Sequence, residues 1–125
     1  MRRVRIRAGQ VEAIAELNDS RTAQAIWKVL PISASVKTWG DEIYFAIPVV
    51  LPQEDSQATV TLGDLGYWPP GNAFCIFFGP TPTSQEDEIR PASPVNILGR
   101  VMGDARAFRK VRDGAPVSVE RADSA

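Results

Sequence analysis

Apolar and polar residues alternate from the start of the chain, where Val4, Ile6 and Ala8 are set between Arg3, Arg5 and Arg7. A period of two marks a strand with one buried and one solvated face. Ala8, Gly9 and Gln10 supply a turn, after which Val11, Ala13, Ala15 and Leu17 keep the alternation and predict an antiparallel hairpin partner. Asn18, Asp19 and Ser20 then offer capping oxygens ahead of Ala23, Ile26, Trp27 and Leu30, whose spacing is that of one helix face, and Pro31 ends the helix. From Ile32 the strand pattern returns. Across the Trp39-Gly40-Asp41 turn, a strand over 42–47 places Ile43, Phe45 and Ile47 on one face and Glu42 and Tyr44 on the other. Ala58, Val60 and Leu62 alternate with Thr59 and Thr61 after an exposed polar loop around 53–57, predicting a further strand, and Gly63 and Asp64 turn the chain.

The segment from Gly66 to Pro82, GYWPPGNAFCIFFGPTP, concentrates aromatic residues between two proline clusters. Pro69, Pro70 and Gly71 predict a tight turn, because proline presets φ and glycine tolerates positive φ. Ala73 to Phe78 contains no polar residue and reads as a strand buried on both faces. Residues 81–94 form a proline-punctuated loop of a length usual for functional or mobile surface segments. Val95 to Met102 predicts the next strand, and Asp104 caps a short helix with Ala107, Phe108 and Val111 inside. Asp113 and Gly114 turn into a last strand with Val117 and Val119 inward, and residues 121–125 are expected to fray. About eight strands with turns at short intervals and two short helices predict a mainly β fold, a closed antiparallel barrel.

Composition narrows the chemistry. A chain of 125 residues fits one domain over 1–125. Its net charge of -1 supplies no general attraction for nucleic acid or acidic membranes, so neither is an expected partner. The basic residues cluster at Arg2, Arg3, Arg5 and Arg7 and again at Arg106, Arg109, Lys110 and Arg112, where solvated faces are the simple reading. The absence of histidine excludes Ser-His-Asp and Cys-His catalysis and removes the commonest metal ligand. Cys75 is the sole cysteine, which excludes an intramolecular disulfide and a thiolate zinc cluster and suggests a small buried apolar residue. No metal and no cofactor are expected, and no glycine pattern resembles a phosphate-binding loop. The run Glu86, Asp87 and Glu88 reads as a solvated loop. The sequence has no apolar window long enough to cross a bilayer and no continuous apolar run behind its first basic residues, so a cytoplasmic location is expected.

Residues as well as element order carry a family likeness. Gly71-Asn72-Ala73-Phe74-Cys75-Ile76 resembles the glycine-led strand G-S-Q-F-F-I of cyclophilins, and Asn96-Ile97-Leu98-Gly99-Arg100-Val101 resembles their V-V-F-G-K-V strand. The phrases TWGDEIYF, GDLGYWPPGNAFCIFFGPTP and RPASPVNILGR are similar to those of small prokaryotic cyclophilin-like proteins of unassigned function, a likeness running from Val4 to Glu120. The resemblance implies an eight-stranded barrel with a helix at each end and brings peptidyl-prolyl isomerisation into view. The chain departs from that pattern at the site. It lacks the F-H-R motif that carries the cyclophilin arginine, and the nearest residue by order is Lys37, a point charge where a planar fork is needed. Ala73 stands in the place of the active-site glutamine, and Cys75 in the place of the phenylalanine that floors the proline pocket.

The expected function is therefore binding of a small apolar molecule or a proline-containing peptide in an aromatic pocket, without the usual isomerase residues. Tyr44, Tyr67, Trp68 and Phe77 are the candidate ring surfaces, and Glu42 with Arg90 or Arg100 would orient the ligand. Against this stands the need of a small barrel to fill its interior with large side chains, which takes Phe74, Ile76 and Phe78 as core. An exposed strand end is the ordinary place for a residue such as Glu42, whereas burial would raise its pKa. A divergent, weak isomerase and a subunit that associates through its aromatic segment, as a homo-oligomer or with another chain, are the alternative readings.

Overall fold

The computed structural model describes residues 2–122. The chain begins with the antiparallel hairpin β1 (Arg3–Ala8) and β2 (Val11–Leu17), followed by the helix α1 (Arg21–Lys28). Then come β3 (Ile32–Ser35), β4 (Lys37–Thr38), β5 (Glu42–Ala46), β6 (Asp64–Trp68), β7 (Ala73–Phe77), β8 (Asn96–Val101) and β9 (Pro116–Arg121). All nine strands belong to one sheet in the order β3-β9-β1-β2-β8-β6-β7-β5-β4, and every pairing is antiparallel.

The two ends of that order are neighbours in sequence. β3 pairs with β9, β4 pairs with β5, and only Val36 separates them. The Val36 N–H donates to the Ala115 carbonyl at 2.9 Å, and its own carbonyl accepts from Gly114 N–H at 2.8 Å. One chain segment thus bends at Val36 and closes the sheet on itself, which removes free edges. Counted that way, the nine strands form the eight-stranded barrel expected from the sequence.

Local chemistry accounts for most elements. Ser20 caps α1 by accepting from Ala23 N–H at 3.0 Å, and Ala23 and Ile26 bury the helix against the barrel. The expected turn at Pro69–Gly71 is one turn of 3-10 helix that ends with Asn72 in the left-handed region, φ 48°. The second helix is also 3-10, over Ala105–Lys110, with Asp104 as its cap through Arg106 N–H. Two expectations change. Ala58 to Leu62 forms no strand, only an isolated bridge between Val60 and Ile89, because Ala58, Thr59 and Thr61 are exposed and have no face to bury. Arg121 is not frayed: it ends β9, stacks its guanidinium 4.7 Å from the Trp27 ring centroid and donates to the Trp27 carbonyl. Residues 123–125 lie outside the described residues. The basic residues of β1 lie on its solvated side, as expected, and are ion-paired there, Arg3 with Glu16, Arg5 with Glu12 and Glu120, and Arg7 with both of the latter.

The core lies inside the barrel and is built from one face of each strand, including Val4, Ile6, Phe45, Leu65, Phe74, Ile76, Leu98 and Val119. Phe45 and Phe74 stack with centroids 5.2 Å apart. β7 is buried on both faces, as its sequence predicts. Phe74, Ile76 and Phe78 enter the core, whereas Ala73, Cys75 and Phe77 form a second apolar cluster with Val95 on the outer side of the sheet.

Candidate functional site

Strand alternation decides which residues reach the outer side. Ile43 and Phe45 of β5 point into the barrel core, so Glu42 and Tyr44 point outward, beside the Ala73, Cys75 and Phe77 face of β7. Tyr44 lies opposite Cys75 and Glu42 opposite Phe77 in the register. Trp68, at the end of β6, joins the same cluster. Trp39 arrives from the preceding turn, whose backbone is fixed by Trp39 N–H donating to the Glu42 carbonyl at 2.9 Å. Together with Pro91, Ala92 and Val95, these side chains wall a cavity of about 230 Å³.

The loop that completes the wall is tied down at several points. Gln57 and Val95 exchange both backbone hydrogen bonds, at 2.8 and 3.1 Å, and Val60 N–H donates to Ile89 O at 2.9 Å. The Trp68 indole N–H donates to Ser93 Oγ at 2.7 Å, which orients the ring and anchors the loop together. Thr81 Oγ1 donates to the Arg90 carbonyl, and Arg90 N–H donates to Ser84 Oγ at 2.9 Å. The Val95 side chain also packs closely on the sheet: a Cβ on Gly66 would sit 3.0 Å from its Cγ2.

Glu42 is the one acidic group in the wall, and it is buried, at 6% exposure, rather than at an exposed strand end. Burial away from water raises its pKa from the ordinary 4.5 to about 7, against the smaller opposing effect of a hydrogen bond with the Cys75 thiol. Among the described residues no cation forms a salt bridge with it. Burial, and secondarily the Glu42 charge, push the Cys75 thiol well above its ordinary value, so Cys75 remains a neutral thiol and is unsuited to nucleophilic attack. The wall therefore offers flat apolar surface, one indole and one phenol with polar ends, and a carboxyl able to change protonation near neutral pH.

Three of the residues singled out in the sequence meet here: Glu42, Tyr44 and Trp68. Four others do not. Tyr67 points into the core with 0% exposure, its hydroxyl within hydrogen-bond distance of Val49 O, Leu51 N and Asn72 Oδ1. Phe77 is fully buried in the outer cluster and contributes no wall. Arg90 folds back on Glu88 in a bidentate pair at 2.6 and 3.1 Å. Arg100 is exposed on β8, opposite Glu16 and Asp64 in the register, away from the cavity. Lys37 is exposed on β4 opposite Tyr44 and stands outside the wall. Sequence reading missed Trp39, Pro91, Ala92 and Val95. The available signal for Trp39 was its place immediately before the turn into Glu42, two residues from Lys37 on the same alternating face.

A second polar cluster escaped the sequence altogether. The Glu54 carboxylate accepts from Arg21 N–H, Thr22 N–H and Thr22 Oγ1, covering the first turn of α1, and these hydrogen bonds hold its pKa below the ordinary range. Asn96 is buried beside it, accepting from Glu54 N–H and donating to Thr22 Oγ1 and Pro52 O. Every partner there is supplied by the protein, so the cluster is a brace for the 52–57 loop.

The comparisons with known proteins agree with this architecture. The chain is similar to a hypothetical protein of Archaeoglobus fulgidus with a solution structure, at 45% identity and a TM-score of 0.83, over 97% of this chain and 95% of that one. No curated protein matches. The family model described as cyclophilin-like matches residues 2–120. With a barrel closed at Val36 and a sequence match spanning nearly its whole length, the chain belongs to the cyclophilin-like family.

Proposed function

We propose that this cyclophilin-like domain binds a small apolar group, such as the ring of a proline-containing peptide or a compact flat ligand, in the outer-face cavity. The observation that carries the reading is the carboxyl of Glu42, 6% exposed at the wall of a cavity bounded by Trp39, Tyr44 and Trp68. A carboxyl without a cationic partner is costly to desolvate, and a structural role would be better served by an apolar residue. At about 230 Å³ the cavity is below the ~300–1,000 Å³ usual for drug-sized ligands, so it takes one ring or head group rather than a whole extended molecule.

Isomerase chemistry is weakly supplied. Lys37 is exposed outside the cavity wall, Ala73 has no hydrogen-bonding side chain, and Cys75 is a buried thiol. Titration of isotope-labelled protein with short proline peptides, followed at the indole N–H signals of Trp39 and Trp68, tests the binding reading. Saturable shifts of those two signals, weakened in Trp68→Ala, are the expected result. Movement confined to residues far from the cavity contradicts it. Exchange spectroscopy on the same peptides separates binding from isomerisation: a marked acceleration that is lost in Lys37→Ala would replace this proposal with a divergent isomerase.

A further inference from the structure

The cavity combines three aromatic side chains, Trp39, Tyr44 and Trp68, with one carboxyl, Glu42, and no basic side chain in its wall. The cations nearest in the fold are engaged or turned to solvent. Arg109 is bonded to Asp41, the residue before Glu42, at 3.2 Å; Arg90 is bonded to Glu88; and Lys37 is exposed opposite Tyr44. Elsewhere the chain provides cations for its own indole: the Trp27 ring has the guanidinium carbons of Arg121 at 4.7 Å and Arg2 at 5.6 Å. Trp39 and Trp68 have no such partner among the described residues. Aromatic faces attract cations through the ring quadrupole, and the attraction strengthens as water is removed. A neutral apolar occupant would fill the space and leave the Glu42 carboxyl without a charged partner. A cationic occupant would satisfy rings and carboxyl at once.

We infer that the cavity selects an alkylated ammonium carried on an apolar body, held against the aromatic rings with its charge facing Glu42. This rests on the reading that the cavity is a ligand site, and it narrows the ligand to one charge class. The alkyl groups match the apolar wall formed by Pro91, Ala92 and Val95, and the positive charge is what the cavity wall does not itself provide.

A pair of isosteric probes tests the inference on the full chain: choline, which carries a trimethylammonium, and 3,3-dimethyl-1-butanol, its neutral tert-butyl counterpart. Binding of each is measured by calorimetry and by the Trp39 and Trp68 indole signals, at about pH 8 so that the carboxyl is ionised. The expected result is binding of choline at least about tenfold tighter than the alcohol, with Glu42→Gln erasing most of that preference. The comparison on the unaltered chain stands whether or not the variant folds. Equal or tighter binding of the alcohol overturns the charge preference while upholding the cavity as a ligand site. If proline peptides shift the indole signals and neither probe does, the inference fails alone; if no ligand shifts them, both readings fail.

Discussion

Glu42 is a strand-end glutamate whose fate depends on what covers it, and its titration has consequences for stability. In the fold its pKa is about 7, above the ordinary 4.5, so the folded chain holds a proton that the unfolded chain has already released. Between those two values stability falls as pH rises, by at most about 3 kcal/mol, and below the lower value the penalty is absent. Glu42→Gln removes the titrating group. The variant is expected to gain thermal stability relative to the parent on going from about pH 4 to about pH 8, by roughly 10 °C at most. Thermal melts of both proteins at both pH values check this, and a pH-independent difference contradicts it. Asp64, raised by its own burial, titrates in both proteins and cancels from the comparison. Asn96 is a residue of the opposite kind, fully partnered and away from the cavity. Replacing it with Ala leaves the Glu54 amide, the Thr22 hydroxyl and the Pro52 carbonyl short of partners, an expected loss of about 2 kcal/mol in urea unfolding with the cavity unchanged.

At the scale of elements, Gly99 shows what holds two strands together. It lies opposite Leu17 where β8 meets β2, and a Cβ there would sit 2.1 Å from the Glu16 carbonyl oxygen. Gly99→Ala must therefore part the strands locally, at an expected cost of about 1–3 kcal/mol, with faster amide exchange at Asn18, whose N–H donates to Leu98 O. Unchanged exchange there would show that β2 and β8 tolerate the side chain. The strands were legible in two ways: β1 and β2 alternate between a buried and a solvated face, and β7, buried on both faces, announces itself by an uninterrupted apolar run. The same rule misled at Ala58 to Leu62, where alternation occurs without a sheet to bury one side. The Ala105–Lys110 helix shows the opposite limit. Its cap and its inward Phe108 were readable, but the choice of 3-10 over α winding rests on tertiary fit.

The cavity is a property of the whole molecule, which is why only part of it was readable. Trp39, Glu42 and Tyr44 come from one side of the barrel seam, Trp68 from a strand two places away, and Pro91, Ala92 and Val95 from the loop bound back over the sheet. Sequence alternation correctly placed Glu42 with Tyr44, since both lie on one strand. It could not separate Tyr67 from Trp68, because neighbouring residues on a strand face opposite ways and the phase of β6 is set by its partners. Nor could it withdraw Arg90, whose charge is taken up by Glu88, or Arg100, whose strand carries it elsewhere. Closure at Val36 and the anchoring of the loop through Ser93 assemble the surroundings that bury Glu42, so its protonation reports on the assembled cavity. The most direct measurement is the titration of the Glu42 side-chain carboxyl carbon by NMR, with Cys75 on β7, Tyr44 on β5 and Lys37 on β4 as the titratable neighbours on its face. A midpoint of about 7 is the predicted result, and a midpoint at the ordinary 4.5 would mean a solvated carboxyl and contradict the cavity as described.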